Sequence, residues 1–438
     1  MAGRHAKPRR GASSLVTSAS GAFVLQSTGA GLNLAMQSSL AHVLGTTLFG
    51  QYSLAFNLSQ LIATPADLGA SSSVTRFIPQ YRVLGQRGHL RGVLLAAQLV
   101  PLVVASLVAG AAAAVVAGFG AGSAPVAVML IAIAGIPLFV LSLVQMNMLR
   151  ALGHIFWAFA PMLVLQPLVV LIAVVLLAPR SSLVTYAWVT VGALGAVVIT
   201  STCTVGLITR RLGLNESPRI LELRHWWTVS LPMLLINVVQ LVFQRLDIVA
   251  VAVLLDARSA GIYAIANRMA VAAASLQKAM LSIVAPQMSG LHWSGRSPEL
   301  ERLVLRGLRL VFVPALLVTA VLAVAGGEFL GLVGEPYRAG YAALVVYALG
   351  QLISVGAGPV GWLATIVGEE RSMARINTIS AVLAVVGYAV LIPTIGIVGA
   401  AASNSAGIAY RNVAASRLAR RHGYHISLVR AFRRPAHA

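Results

Sequence analysis

Cysteine is almost missing from this chain of 438 residues: Cys203 stands alone, which excludes a disulfide framework, a paired-cysteine zinc site and a dithiol redox motif. The 9 histidines are scattered with no HExxH pair, and neither a GxxxxGK[ST] phosphate loop nor a GxSxG nucleophile turn occurs. Metalloprotease, ATPase and serine-hydrolase chemistry therefore have no local signature. No cofactor is implied, and the chain reads as a non-enzyme whose energy comes from a gradient or from consumption of product. Acid is scarce too, with Asp+Glu 11 against Lys+Arg 32 and a formal net charge of +21.

Hydrocarbon is what the chain has in excess. It is 58% hydrophobic and only 10% charged, and apolar runs of about twenty residues recur from end to end, the pattern of a polytopic membrane protein. Hydropathy and turn signals place twelve spans at 15–43, 49–78, 91–118, 124–149, 155–178, 183–209, 226–255, 259–288, 303–325, 340–367, 373–393 and 397–416. The first apolar stretch follows Arg4, Lys7, Arg9 and Arg10, but it is too long for a signal peptide and lacks a clear cleavage site, so a retained span is expected. Pro65, Pro137, Pro161, Pro167, Pro232 and Pro286 are candidate kinks.

An even number of spans puts both termini on one side. On that side lie 26 of the basic residues, against Arg180, Arg258 and Arg338 on the other, with Arg245, Arg268 and Lys278 inside spans. Such a split predicts cytoplasmic termini. It also argues against nucleic acid as a partner, because the charge is spread along loops beside the membrane rather than gathered in one domain; anionic lipid headgroups are the expected companions. For the basic tail, with Leu418, Ile426, Leu428, Val429 and Phe432 interleaved among arginines, a surface amphipathic helix and a disordered segment both stand as readings.

Three charges fall where only apolar side chains are expected. Arg245 lies 12 residues before the turn at Ala257 and Arg268 lies 11 after it, so in antiparallel helices rising about 1.5 Å per residue they share a depth, with Asp247 beside them. A charge near mid-bilayer costs about 2.5–3.5 kcal/mol on insertion scales and normally pairs, faces the bundle interior or lines a pathway. A cationic site inside a transporter is the working reading. Arg245 and Asp247 are two apart and point to different sides of their helix, so Asp247 is expected to neutralise Arg268 and leave Arg245 free. Lys278, nearer the cytoplasm, is expected to snorkel to the interface or to assist in gating and lobe packing.

The chain repeats internally. Leu44-Gly45-x4-Gly50-Gln51-Tyr52-x2-Ala55 recurs as Leu255-Asp256-x4-Gly261-Ile262-Tyr263-x2-Ala266 at an offset of 211. Two parallel six-span halves follow, related by an axis along the membrane normal. The resulting division is a tail at 1–14, a first lobe at 15–209, a linker at 210–225, a second lobe at 226–416 and a basic tail at 417–438. The fold class is all-α and polytopic, with about twelve transmembrane helices in two six-helix lobes.

The segment Leu44-Gly45-x3-Phe49-Gly50-x-Tyr52-Ser53-Leu54-Ala55, continued by Ala66-Asp67-Leu68-Gly69 and Arg76-Phe77-Ile78-Pro79-Gln80-Tyr81, resembles the first hairpin of the polysaccharide (Wzx-like) flippases of the multidrug/oligosaccharidyl-lipid/polysaccharide exporter superfamily. Leu149-x-Ala151-x-Gly153 is similar to the same pattern. The resemblance implies a V-shaped pair of lobes in a bacterial-type cytoplasmic membrane. It implies alternating access that moves a polyprenyl-diphosphate-linked oligosaccharide outward, with a glycan polymerase or other assembly proteins as partners.

The residues suit that task. Buried arginines offer charge-assisted, bidentate contacts to diphosphate oxygens, and sugars need neutral donors and acceptors. At the depth of Arg245 and Arg268 the first lobe carries Asn33, Gln37 and Asn57, and the repeat aligns Asn57 with Arg268. Gln145, Asn147, Gln166, Asn237, Gln240, Gln244, Gln351, Asn377 and Asn404 also interrupt apolar spans; singly, such amides more often glue helices together. Asp67 and Arg76, nine apart on opposite faces of one helix, are expected to serve gating or lobe packing. The nearest rival is a cation-coupled multidrug exporter of the same superfamily, which calls for acids in the lumen. A membrane glycosyltransferase or polymer ligase would need larger outer loops than these.

Overall fold

The computed structural model describes residues 11–118, 123–177 and 182–432, and the side chains of 11–24 and of several positions in the two helices between 223 and 293 also lie outside the described set. Arg4 to Arg10, Arg180, Arg434 and the side chains of Asn237, Gln240, Gln244 and Lys278 therefore fall outside it. Every described element is helical, as hydrocarbon demands: a backbone amide facing lipid has no partner except within its own helix.

In chain order the first lobe comprises α1 (Gly11–Ala66), α2 (Ala70–Val83), α3 (Arg87–Ala117), α4 (Ala124–Ala134), α5 (Ile136–Ala151), α6 (Ile155–Ala160), α7 (Gln166–Leu177) and α8 (Leu183–Arg211). The second comprises α9 (Leu223–Leu254), α10 (Ala257–Trp293), α11 (Ser297–Val333), α12 (Tyr341–Ala357), α13 (Val360–Ile366), α14 (Glu370–Ile395) and α15 (Ile397–Arg421), with a short α16 (Leu428–Phe432) at the end. Breaks reconcile these with twelve passes. Gly45, at φ 71° and ψ 175°, turns α1 back on itself so that it makes two passes. Pro137, in the first turn of α5, separates α4 from α5 within one pass, and Pro161 opens a π-helical turn, Pro161–Leu165, between α6 and α7. Seven helical stretches among the described residues are long and apolar enough to cross a membrane by length and composition.

The second pass is not the single helix expected for 49–78. It stops at Ala66 and restarts at Ala70, with Leu68 at φ 56° and Gly69 at φ 75° between. Asp67 and Arg76 consequently sit on either side of a break rather than on opposite faces of one helix. The cause is packing: a Cβ on Gly69 would lie 2.2 Å from the Ser230 carbonyl oxygen, so α9 presses backbone to backbone against the break.

The lobes meet most closely at the face opposite the described chain ends. A Cβ on Gly50 would lie 1.6 Å from the Ala257 carbonyl oxygen, and one on Gly261 would lie 2.1 Å from that of Thr46. The two glycines of the repeat thus cross with no side chain between their helices. Around the crossing, His42 Nδ1–H donates to the Val333 carbonyl at 2.8 Å and Tyr337 OH donates to the Ala41 carbonyl at 3.0 Å. Phe49, Tyr52, Ile262 and Tyr263 pack beside it in a core shared by both lobes. This seam closes the distal face.

At the opposite, terminal face, the connection between lobes is an ordered strap. Arg91 donates to the Ser217 carbonyl at 2.6 Å, Trp226 Nε1–H donates to Tyr81 OH at 2.9 Å, and Tyr81 OH donates to Glu222 at 3.3 Å. The basic tail folds back under the second lobe instead of lying free or on a surface of its own. Ile426 is buried, Arg430 pairs with Glu301 at 3.1 Å, Arg309 donates to the Ala431 carbonyl, and His422 meets Glu369 at 3.0 Å. Hydrogen bonds from Ser372 and His422 hold the Glu369 carboxyl below the usual carboxylate range.

The glycine crossing generates a test. Gly50→Ala forces the α1–α10 backbones apart and is expected to cost about 1–3 kcal/mol of stability by overpacking, and so to lower the thermal midpoint. Gly192→Ala, where nothing lies within 4 Å of the added carbon, should leave it level or slightly higher. Melting the two purified variants side by side in one detergent checks the seam; equal midpoints would refute it.

Candidate functional site: a cavity between the lobes

Seven residues past each crossing glycine stand Asn57 and Arg268, so helical rise sets both about 10 Å below the seam. A cavity between the lobes opens at that level, with about 940 Å³ of space counting its open mouth. The first lobe supplies most of the wall: Asn33 and Gln37 from the first pass of α1, Tyr52, Ser53, Asn57 and Gln60 from the second, and Met162 and Gln166 at the π turn. The second lobe supplies Arg245 and Ile248 from α9 and Ala264 and Arg268 from α10.

Local structure aims these groups. The first pass of α1 can approach the π turn because position 29 is glycine; a Cβ there would lie 2.7 Å from Leu163 Cβ. The wide turn in turn presents both Met162 and Gln166 to the cavity. Asn57, 5% exposed, donates its Nδ2–H to the Ser53 carbonyl at 2.7 Å, which fixes its Oδ1 toward the second lobe. Arg245 Nη1–H donates to that oxygen at 3.1 Å, a hydrogen bond between lobes. Tyr52 OH lies 2.9 Å from Thr190 Oγ1 on α8. Two guanidiniums therefore face a wall of amides and hydroxyls, and no carboxylate lines the cavity among the described residues.

Asp247 is placed elsewhere. Fully buried, it accepts from the Ile248 amide at 2.8 Å, Tyr263 OH at 2.9 Å, Asn267 Nδ2–H at 2.7 Å and Asn404 Nδ2–H at 3.4 Å. Asn404 also donates to Tyr388 OH at 3.2 Å. The expected Asp247–Arg268 ion pair does not form, and no salt bridge among the described residues involves either group. The reason is geometric: Asp247 turns into the second lobe, where neutral donors from α10 and α15 satisfy its oxygens, and it ties α9, α10, α14 and α15 together. The arginines are left facing the cavity without it.

The remaining candidates scatter. Asp67 is 1% exposed and accepts from the Ser71 amide at 3.1 Å and Ser71 Oγ–H at 2.6 Å, holding the first turn of α2. Arg76 is exposed on α2. Gln145 bridges Gln98 at 3.0 Å and Thr202 at 2.7 Å, joining α3, α5 and α8 as a structural amide. Arg411, counted among the terminal-side basic residues, instead lies half-buried within α15, seven residues beyond Asn404 and so on the same helix face. Ser53 and Gln60 line the cavity although neither was singled out from sequence. Their spacing of four and three residues from Asn57 was the signal available.

The sequence of residues 15–292 matches the family described as "Polysaccharide biosynthesis protein", a stretch that covers the first lobe and the α9–α10 hairpin. No curated protein matches the sequence. In fold, the chain is similar to an inward-facing multidrug resistance MATE family transporter of the MOP superfamily, at TM-score 0.70 and 14% identity over 91% of this chain and 94% of that one. It is similar to the lipid II flippase MurJ in an inward closed conformation, at TM-score 0.68 and 15% identity over 93% and 87%. A MOP superfamily transporter from Pyrococcus furiosus, whose binding pocket is described as reversed in polarity, aligns at TM-score 0.64 and 16% identity over 92% and 95%. These likenesses show a shared two-lobed transporter fold.

Removing the Asp247 carboxylate strands its buried donors. Asp247→Ala is expected to lower the thermal midpoint substantially, at about 1–3 kcal/mol for each donor left unpaired. Arg245→Ala, at the cavity edge, should cost much less. Differential scanning fluorimetry of both variants decides: equal losses would mean that the Asp247 network does not hold the second lobe together.

Proposed function

The chain belongs to the polysaccharide biosynthesis protein family, and on that premise we propose that it is a flippase that moves a polyprenyl-diphosphate-linked oligosaccharide across the cytoplasmic membrane by alternating access. One observation carries this reading: among the described residues the inter-lobe cavity is lined by two arginines and no acid, opposite a wall of neutral amides. A diphosphate brings about two negative charges that cannot enter hydrocarbon alone, and guanidiniums bind phosphate oxygens in charge-assisted pairs. Amides and hydroxyls serve sugar hydroxyls equally well as donors and acceptors.

Fold by itself does not choose a substrate, because the similar structures include both multidrug exporters and a lipid II flippase. Cavity charge favours the anion. A multidrug exporter that takes organic cations would want carboxylates where this chain has Arg245 and Arg268, and the acid buried at this depth, Asp247, is enclosed by neutral donors. The basic residues at the terminal face support a cytoplasmic location for both ends, against anionic headgroups. Loading at that face and release outside, driven by an ion gradient or by downstream polymerisation, completes the cycle.

Arg245→Ala and Arg268→Ala are each expected to reduce export by about ten- to a hundredfold, the equivalent of one lost charge-assisted contact, with normal protein levels in the membrane. Complementation of a strain defective in surface-polymer export, scored with accumulation of lipid-linked oligosaccharide in the inner leaflet, measures this. Full export by the double variant would defeat the proposal. Resistance to cationic dyes conferred by the wild type would favour the rival.

A further inference from the structure

Arg245 spans the gap between lobes to a neutral partner, and the choice of partner matters. Its guanidinium donates to Asn57 Oδ1 at 3.1 Å, and Asn57 sits on the first lobe while Arg245 sits on the second. The amide's other end is already committed to Ser53 within its own helix at 2.7 Å, so the oxygen is held rigidly in place as an acceptor. A carboxylate at position 57 would make a strong ion pair in this partly dry site; an alanine would make nothing. Asparagine is intermediate: it satisfies one guanidinium N–H when the cavity is empty, yet loses to a phosphate group, which adds its own negative charge and can accept from the guanidinium through two oxygens.

We propose that Asn57 is a displaceable placeholder for the anionic headgroup. In the empty protein the Arg245–Asn57 bond ties the lobes below the glycine seam, and an arriving diphosphate takes Arg245 from Asn57 and so frees the lobes to rock. The inference rests on the flippase reading above and adds its regulation: lobe motion is conditional on a filled site. The pseudo-symmetry of the hairpins supports it. Positions 57 and 268 correspond across the repeat, and they carry an acceptor on one lobe and a donor on the other, so that displacing the amide leaves Arg245 and Arg268 together to share one dianion. Each ligand-induced motion needs a difference in contacts between the two states, and this exchange supplies one.

Paired spin labels at Val83 and Trp293, which are 87% and 79% exposed and belong to different lobes, report the separation across the terminal face in a Cys203→Ser background. Farnesyl diphosphate serves as the probe. Three results are expected. The wild type shifts its distance distribution on adding probe. Asn57→Ala already shows the shifted or broadened distribution without probe and binds the probe at least as tightly. Asn57→Asp keeps the unliganded distribution with probe present and binds it roughly tenfold or more weakly, because a fixed charge now competes for Arg245. Besides the bond from Arg245, Asn57→Ala removes only one intrahelical bond, to the Ser53 carbonyl, so both variants should fold, and a melting curve verifies this.

A ligand-free Asn57→Ala distribution identical to wild type overturns the tie, as does an Asn57→Asp protein that responds like wild type. If instead wild type binds farnesyl diphosphate no better than an Arg245→Ala/Arg268→Ala variant, the anionic-substrate reading fails, and displacement fails with it. The ligand-free arm tells the two failures apart.

Discussion

The crossing of Gly50 over Gly261 is the constraint on which the rest of the arrangement depends. With no side chain between them, α1 and α10 approach to backbone distance, and rigid helices then carry that register inward at about 1.5 Å per residue. Everything seven residues further in arrives at one level. That is why an amide from one lobe and two arginines from the other converge on a single cavity, and why a hydrogen bond of 3.1 Å can bridge the two lobes at that depth. Bulk at either glycine would move the cavity walls apart before it disturbed any residue that lines them.

A second constraint is the cost of charge in hydrocarbon, and the protein meets it in two different ways. Asp247 is surrounded by neutral donors deep in the second lobe and works as a structural node among α9, α10, α14 and α15. The arginines face space, with an amide as the named partner of one of them. A direct Asp247–Arg268 pair would have cancelled the charge and closed the site. Separation of the acid from the bases leaves, among the described residues, a cavity lined by bases and neutral groups, and the proposal of an anionic passenger stands on that.

At the terminal face the chain shows the same economy with polar groups. The linker strap through Glu222, Tyr81 and Trp226 and the tail through Tyr424, Ile426 and Arg309 knit together helix ends that water would otherwise have to satisfy. Arginine is frequent in both segments, a composition that by itself names no partner. Their order comes from partners distant in sequence, such as Ser217 with Arg91 and Ala431 with Arg309.

Sequence alone determined the all-helical, twelve-pass, two-lobed organisation, because hydrocarbon allows few alternatives and a 211-residue repeat announces its own halves. It also determined the depth of Arg245, Arg268, Asn33, Gln37 and Asn57, since depth along a helix is a matter of counting. Facing was another matter. Which side Asp247 turns to, that the second pass breaks at Leu68 and Gly69, and that Arg411 lies half-buried in the second lobe all depend on what neighbouring helices present. Residue spacing carries no information about a helix from the other half of the chain. Only tertiary packing could place Ser230 against Gly69, four neutral donors around Asp247, and Asn57 within reach of Arg245.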